Sequence, residues 1–238
     1  MAVLMIGGMD SSGGAGLLRD CATAAAFNIA ARVAVSAVTA QTDSAVLRAD
    51  ICAADLVQAQ IRAAFLQGPV AAVKIGMLGN AVVVRAVAEA LRTDLPKGVP
   101  VVLDPVIASS SGKALLDAAG LAVLTELLPQ VDLVTPNLPE LARLGEGLGA
   151  DDPVAALLQA GAGAVLVKGG HDIGAEAVDR LVMADQVTTF TAPRLPGTRR
   201  GTGCTLAAAI ACGLALVQPL PEAVKQAKAH VTAYLQAA

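Results

Sequence analysis

The segment Arg199-Arg200-Gly201-Thr202-Gly203-Cys204 carries the sharpest chemical signal in this sequence. Glycines at a helix start let several backbone N–H groups converge on one point, and the helix dipole reinforces them, which makes an anion hole. Cys204 falls in that first turn, where the same field is expected to lower its thiol pKa. The plainer alternative is an inert cysteine buried behind a helix N-terminus. Lys168-Gly169-Gly170-His171 closes an apolar run. Lys168 is there either a cation that neutralises phosphate charge or a solvated strand-end lysine. His171 reads as a loop residue and His230 as a structural one.

Asp104-Pro105-Val106 follows another apolar run, and Ser109-Ser110-Ser111-Gly112 comes next. A carboxylate at a strand end suits a hydrated divalent cation, and a Ser/Gly loop beside it could close over a substrate and exclude water. Asp104 could equally be a turn-former before proline. In Thr135-Pro136-Asn137-Leu138-Pro139-Glu140, Asn137 and Glu140 are spaced to face one ligand. The same spacing also fits a capping box, with Asn137 as N-cap and Glu140 reaching back. Gly7–Gly16 reads as a glycine-rich strand-to-helix turn where backbone can approach a ligand closely. It contains neither a GxGxxG fingerprint nor a Walker A loop, and Gly112-Lys113 fails as a Walker motif because Ile107 stands where its first glycine would be.

The elements that must position these loops are short apolar runs alternating with helical patterns. Ala2–Ile6, Val33–Val38, Ala71–Ile75, Val101–Leu103, Asp132–Val134 and Ala164–Val167 read as strands, most of them continuously apolar, as for parallel strands covered on both faces. Helical stretches at Ala15–Phe27, Ala54–Leu66, Ala81–Arg92, Ala114–Leu128, Pro139–Leu144 and Pro153–Ala160 lie between them. The order predicts an α/β fold with a mostly parallel central sheet and helices on both faces. Ala177–Met183 and Val187–Thr191 predict an antiparallel edge hairpin. A loop with Pro193, Pro196 and Gly197 follows, then helices from about Thr202 and from Pro221. The 238 residues show no repeat or linker and are read as one domain. In such sheets ligands sit beyond the carboxyl ends of the strands, where the loops above converge.

Composition excludes other classes. With 55% hydrophobic and 16% charged residues the chain is too apolar for disorder. Only 2% aromatic residues, no basic run and a net charge of −3 argue against a nucleic-acid partner. Mean hydropathy is +0.64. The charge-free run Gly201–Pro221 is long enough to span a bilayer, but it is interrupted by Gly203, Gly213, Gln218 and Pro219, so a buried helix is expected instead. Cys21, Cys52, Cys204 and Cys212 form no CxxC pair, and Met1–Ile6 lacks the basic flank of a signal peptide. No membrane association and a cytoplasmic location are therefore expected.

Taken together, GGMDSSGGAG, TAQ, KIGML, DPV with its following SG, TPNLPE, VLVKGGH and GTGCTLAAAI resemble, in order over essentially the whole chain, the hydroxymethylpyrimidine/phosphomethylpyrimidine kinases of thiamine biosynthesis, within the ribokinase superfamily. Sugar kinases of that superfamily usually carry Asp at the Cys204 position. The resemblance implies a ribokinase-like fold, ATP as co-substrate, Mg²⁺ and a homodimer. It places a pyrimidine near Gly8, Asp20, Gln41, Met77 and Val106, and ATP near Asn137, Lys168, Arg200, Gly201 and Gly203. It implies that Asp104 and Glu140 organise Mg²⁺ with its waters, and that the Gly201–Cys204 amides, Thr202 and Lys168 act on the γ-phosphoryl while Ala108–Lys113 forms a flap. It further implies two steps, phosphorylation of a hydroxymethyl group and then of the monophosphate. A pyridoxal kinase on the same scaffold and a non-catalytic pyrimidine-binding module are the competing readings. Departures from the family pattern are Arg200 where His is usual, Thr42 where Asn is usual and Ser110 where the flap usually has Lys; Gly145–Gly163 is also shorter.

Overall fold

The computed structural model describes residues 1–171, 174–195 and 199–237. Its strands are β1 (Ala2–Asp10), β2 (Ala30–Gln41), β3 (Val46–Ile51), β4 (Val70–Ile75), β5 (Val101–Leu103), β6 (Leu133–Val134), β7 (Val165–Val167), β8 (Glu176–Met183) and β9 (Gln186–Pro193). Among the described residues they form one nine-stranded sheet in the order β3-β2-β1-β4-β5-β6-β7-β8-β9. Pairing is parallel from β2 through β1, β4, β5 and β6 to β7. It is antiparallel at both ends, where β3 joins β2 and where β8 and β9 extend β7.

The helices are α1 (Gly16–Ala26), α2 (Ala54–Leu66), α3 (Ala81–Asp94), α4 (Ala118–Val123), α5 (Leu138–Leu148), α6 (Pro153–Gln159), α7 (Thr202–Ala215) and α8 (Leu220–Gln236). Successive strand residues point to opposite faces, and the core divides accordingly. Leu4, Ile6, Val101 and Leu103 pack with Val57, Ile61, Val87 and Leu141 of α2, α3 and α5. Val3, Met5 and Val102 pack with Leu17, Leu206, Ile210 and Val224 of α1, α7 and α8. Because both faces are covered, the central strands are mostly apolar, as read from the sequence, with Lys74 of β4 a buried exception. Each such side chain contributes about 1.5–3 kcal/mol on full burial.

The structure corrects three expectations. The first strand does not end at Ile6. Gly7 and Gly8 pair with Val35 and Ala37 of β2 across a register shift, and the strand runs on to Asp10. The glycine-rich turn therefore begins at Ser11. The predicted helix Ala114–Leu128 is broken: Ala114 and Leu116 make isolated bridges to Ala108 and Gly79. Asp117 then caps α4 by accepting from the Gly120 N–H, and a 3-10 segment, Leu124–Gln130, contains Pro129, which has no N–H to continue an α-helix. Strand β3 is an addition. The run Gly201–Pro221 contains the buried helix α7, and no described helix is long and apolar enough to cross a membrane. His230 packs edge-to-face on Phe27 with ring centroids 5.2 Å apart, in keeping with a structural role. Pro196 and Gly197 of the predicted loop lie outside the described residues.

Candidate active site

Three loops at the carboxyl ends of β5, β6 and β7 meet at the start of α7. Asp104, directly after β5, is buried, and its Oδ1 accepts from Lys168 Nζ at 2.7 Å and from Thr135 Oγ1 at 3.2 Å. Lys168, directly after β7, also lies 3.6 Å from Glu140 Oε2. Asn137 and Glu140 do form a capping box on α5, each side chain accepting the other's backbone N–H at 2.8 Å. The capping alternative is thus realised, and it simultaneously fixes Glu140 beside the ammonium. A Cβ at Gly203 would stand 3.6 Å from both Asp104 Oδ2 and Lys168 Nζ, so the first turn of α7 abuts this ion pair.

That turn has the geometry an anion needs. Gly201 adopts φ 75°, in the left-handed region, and a Cβ there would overlap the Gly14 carbonyl oxygen, so only glycine fits. Gly201 to Cys204 are half-buried, and among the described residues none of the Thr202, Gly203 or Cys204 amides donates within the protein. Orphan N–H groups at a helix start are one of the two ingredients of an anion site, and the dipole is the other.

Burial raises the Glu140 carboxyl above its ordinary range. Burial would also raise Asp104, but Lys168 and Lys74 outweigh it and hold that carboxyl down. Burial would lower the Lys168 ammonium, and Asp104 and Glu140 keep it raised instead.

A second ion pair lies deeper. Lys74 of β4 donates to Asp20 Oδ2 of α1 at 2.8 Å, both fully buried, and Asp20 Oδ1 has no partner among the described residues. Cys204 is next to this pair, and here the sequence expectation fails. Burial pushes its thiol up to about 11, against the pull of Lys74 and of the Gly16 amide. Desolvation of a thiolate outweighs the helix field, so the thiol stays protonated at neutral pH.

The groups expected to read a pyrimidine lie where β1, β2 and β4 end. Met77 sits on Gly8, where a Cβ would come 2.8 Å from its Sδ, and its carbonyl accepts from Ser36 Oγ at 2.5 Å. Gln41 ends β2, and its backbone N–H is bound by Ser11 Oγ at 2.9 Å. Val106 is half-buried one residue beyond Pro105, its N–H bonded to the Asp104 carbonyl at 2.8 Å. The segment Ala108–Lys113 is a small hairpin with Ser110 exposed at its tip. Lys113 is turned away to the carbonyl of Val46 at 2.9 Å. Arg200, expected beside ATP, donates within the protein to Asp10 Oδ2 at 2.9 Å, Ser12 Oγ at 2.7 Å and the Thr42 carbonyl at 2.9 Å.

Two functional candidates were missing from the sequence reading. Lys74 is a lysine inside the apolar run of β4, a charge in a strand otherwise read as buried, and that contradiction was the available signal. Asp10 organises the turn after β1, accepting from Ser12 N, Ser12 Oγ and Ala15 N at 2.8–2.9 Å. Nothing is described of the His171 side chain.

Asp104 and Glu140 each have one oxygen engaged, Oδ1 and Oε2, leaving Oδ2 and Oε1 without a hydrogen bond among the described residues. No described cluster of three His, Cys, Asp or Glu forms an all-protein cage. Mg²⁺ retains waters and binds through one or two carboxylates plus substrate phosphates, so this donor set fits it.

A family model described as phosphomethylpyrimidine kinase matches residues 10–238. A hydroxymethylpyrimidine/phosphomethylpyrimidine kinase of Rhizobium meliloti (strain 1021) is 42% identical over 99% of this chain and 90% of its own. A solved phosphomethylpyrimidine kinase from Clostridium difficile 630 superposes with a TM-score of 0.84 at 34% identity, covering 99% of both chains. The pyridoxal kinase of Staphylococcus aureus, solved with AMP-PCP and pyridoxal, superposes with a TM-score of 0.83 at 27% identity, over 97% of this chain and 86% of that one.

Proposed function

Because the chain belongs to the phosphomethylpyrimidine kinase family, we propose that it transfers the γ-phosphoryl of ATP to 4-amino-5-hydroxymethyl-2-methylpyrimidine, and then a second phosphoryl to the monophosphate, in thiamine biosynthesis. The observation that carries this reading is the first turn of α7: orphan amides at a left-handed glycine, facing the Lys168–Asp104 pair. The pyrimidine takes the side of Gly8, Asp20, Gln41, Met77 and Val106, and ATP the side of Asn137 and Lys168. The amides of Gly201, Thr202, Gly203 and Cys204 receive the transferring phosphoryl. Asp104 and Glu140 would hold Mg²⁺ with its waters, which when bound neutralises phosphate charge.

In the first step the hydroxymethyl oxygen bonds to the γ-phosphorus while the bond to the ADP oxygen breaks, and the hydroxyl proton passes late to an oxygen of the transferred phosphoryl group. Phosphoryl transfer passes through a loose transition state, so charge on the equatorial oxygens matters more than early removal of the hydroxyl proton. A thiol that stays protonated at neutral pH is therefore no obstacle at position 204. Lys168 and the α7 amides supply the positive field, and they do so without reorganising. In the second step the nucleophile is already a phosphate oxyanion and needs no base. With Cys204 assisting the first step only and the Gly201–Cys204 amides serving both, Cys204→Ala should spare the second phosphorylation; an equal loss in both steps contradicts this division.

The 0.83 superposition on a pyridoxal kinase supports a second reading, in which pyridoxal is the acceptor. Mass analysis of products formed from ATP with each acceptor decides between them. One and then two phosphates added to the pyrimidine, with little on pyridoxal, is the expected result. Tight binding of the pyrimidine without ADP release would mean a non-catalytic module. We also propose that the chain is a single domain acting in the cytoplasm as a homodimer.

A further inference from the structure

Arg200 reaches from the α7 turn into the pyrimidine side of the site, and its bonds describe a clamp. Its guanidinium is half-buried and forks. Nη2 pairs with Asp10 Oδ2 at 2.9 Å, and Nη1 donates to Ser12 Oγ at 2.7 Å, to the Thr42 carbonyl at 2.9 Å and to the exposed Asp43 Oδ1 at 3.3 Å. Asp10 ends β1 and Ser12 lies in the turn that follows it, whereas Thr42 and Asp43 belong to the turn between β2 and β3. Ser11 already stitches these turns together through the Gln41 N–H and carbonyl, at 2.9 and 3.3 Å. The backbone of Arg200 is held from the opposite side, because the Tyr234 hydroxyl of α8 donates to its carbonyl at 2.9 Å. Arg199 stacks on the same ring at 3.7 Å from its centroid and donates to the Tyr234 carbonyl. The next residue, Gly201, opens the amide turn.

Resting on the kinase reading above, we propose that Arg200 is a positioning residue for the pyrimidine. It fixes the Gln41–Asp43 turn, and hence the side chain expected to read the ring, at a set separation from the amides that receive the phosphoryl. Among the described residues, the guanidinium hydrogen bonds go to the acceptor side and none goes toward Asn137 or Lys168. A planar fork that serves two turns at once is a geometry lysine cannot reproduce.

The test combines amide exchange with steady-state kinetics on the full-length protein. In Arg200→Ala, exchange over Ser11–Gly14 and Thr42–Ala45 should accelerate by about tenfold or more while the body of α7 is unchanged. KM for the hydroxymethylpyrimidine should rise by about tenfold or more, with KM for ATP within about twofold of wild type. Arg200→Lys should raise the pyrimidine KM less, since it keeps a cation against Asp10. Tyr234→Phe, which removes only the hydroxyl bond to the Arg200 carbonyl, should shift the same parameters in the same direction by less, and serves if Arg200→Ala fails to fold. Unchanged exchange in both turns overturns the proposal. So does a rise confined to KM for ATP, which would make Arg200 a nucleotide ligand. A wild-type protein that leaves the pyrimidine unphosphorylated refutes the kinase reading alone, and the exchange measurement still decides whether the clamp exists.

Discussion

Two lysine–aspartate pairs lie within this site, chemically alike and placed differently. Lys74 and Asp20 meet at 2.8 Å with side chains only 2% and 1% exposed. Lys168 and Asp104 meet at 2.7 Å with 13% and 3% exposed, and they face the open turn of α7. Burial makes an ion pair costly to break but does not make it a strong contributor to net stability, because desolvation offsets the attraction. The sealed pair therefore acts as a fixed charge arrangement behind the site. The open pair has a lysine that can share its three donors with an arriving phosphate, with Asp104 and Glu140 keeping it charged meanwhile.

The comparison can be broken most directly at the sealed pair. Lys74→Met leaves Asp20 as an uncompensated buried carboxylate, and a loss of about 3–5 kcal/mol in unfolding free energy is expected in denaturant titrations. Restoring most of that loss by adding Asp20→Leu would support this assignment, and a loss below about 1 kcal/mol in the single variant would end it. At the open pair the effect moves from stability to catalysis. Lys168→Met should lower kcat by about 10²–10³-fold, by analogy with removing one preorganised donor to transition-state charge. Its midpoint in denaturant should move less than that of Lys74→Met, since Asp104 keeps the Thr135 hydroxyl and the field of Lys74. Equal stability losses in the two variants would erase the distinction. The smallest effect sharpens the comparison at Cys204, which feels Lys74, Asp20 and Asp104 together. With its thiol pushed up to about 11, only the thiolate fraction reacts. Its alkylation rate should therefore climb about tenfold per pH unit from pH 7 to 9 without levelling off, followed by mass spectrometry of the Cys204 peptide. A plateau below pH 9 would mean that the helix field prevails over burial after all.

The sequence made the central strands legible because burial on both faces keeps their runs almost wholly apolar, Lys74 in β4 being the exception. The edge hairpin was legible for another reason, two short strand-like runs separated by the turn Ala184-Asp185-Gln186. Strand β3, Val46–Ile51, was missed because Arg48 and Asp50 pair with each other on its exposed side, so the segment reads as a polar loop. The helix expected over Ala114–Leu128 failed through its interruptions at Asp117 and Pro129. Within the site, the α7 turn and its neighbours Asp104, Glu140 and Lys168 could be read from loops that follow strands. The thiol pKa of Cys204 could not, since it depends on how much protein closes around the sulfur. Nor could the contacts of Arg200, which join segments 157 to 190 residues apart.

Helix α7 is buried along almost its whole length, from Thr205 to Gly213, with alanines filling both the sheet-facing and the α8-facing sides. A rod so enclosed has no room to slide or tilt. The positive pole at its tip is thus a stationary reference point, and approach of nucleotide and acceptor has to be accommodated by the surrounding loops, with the hairpin at Ala108–Ala114 the most peripheral of these walls.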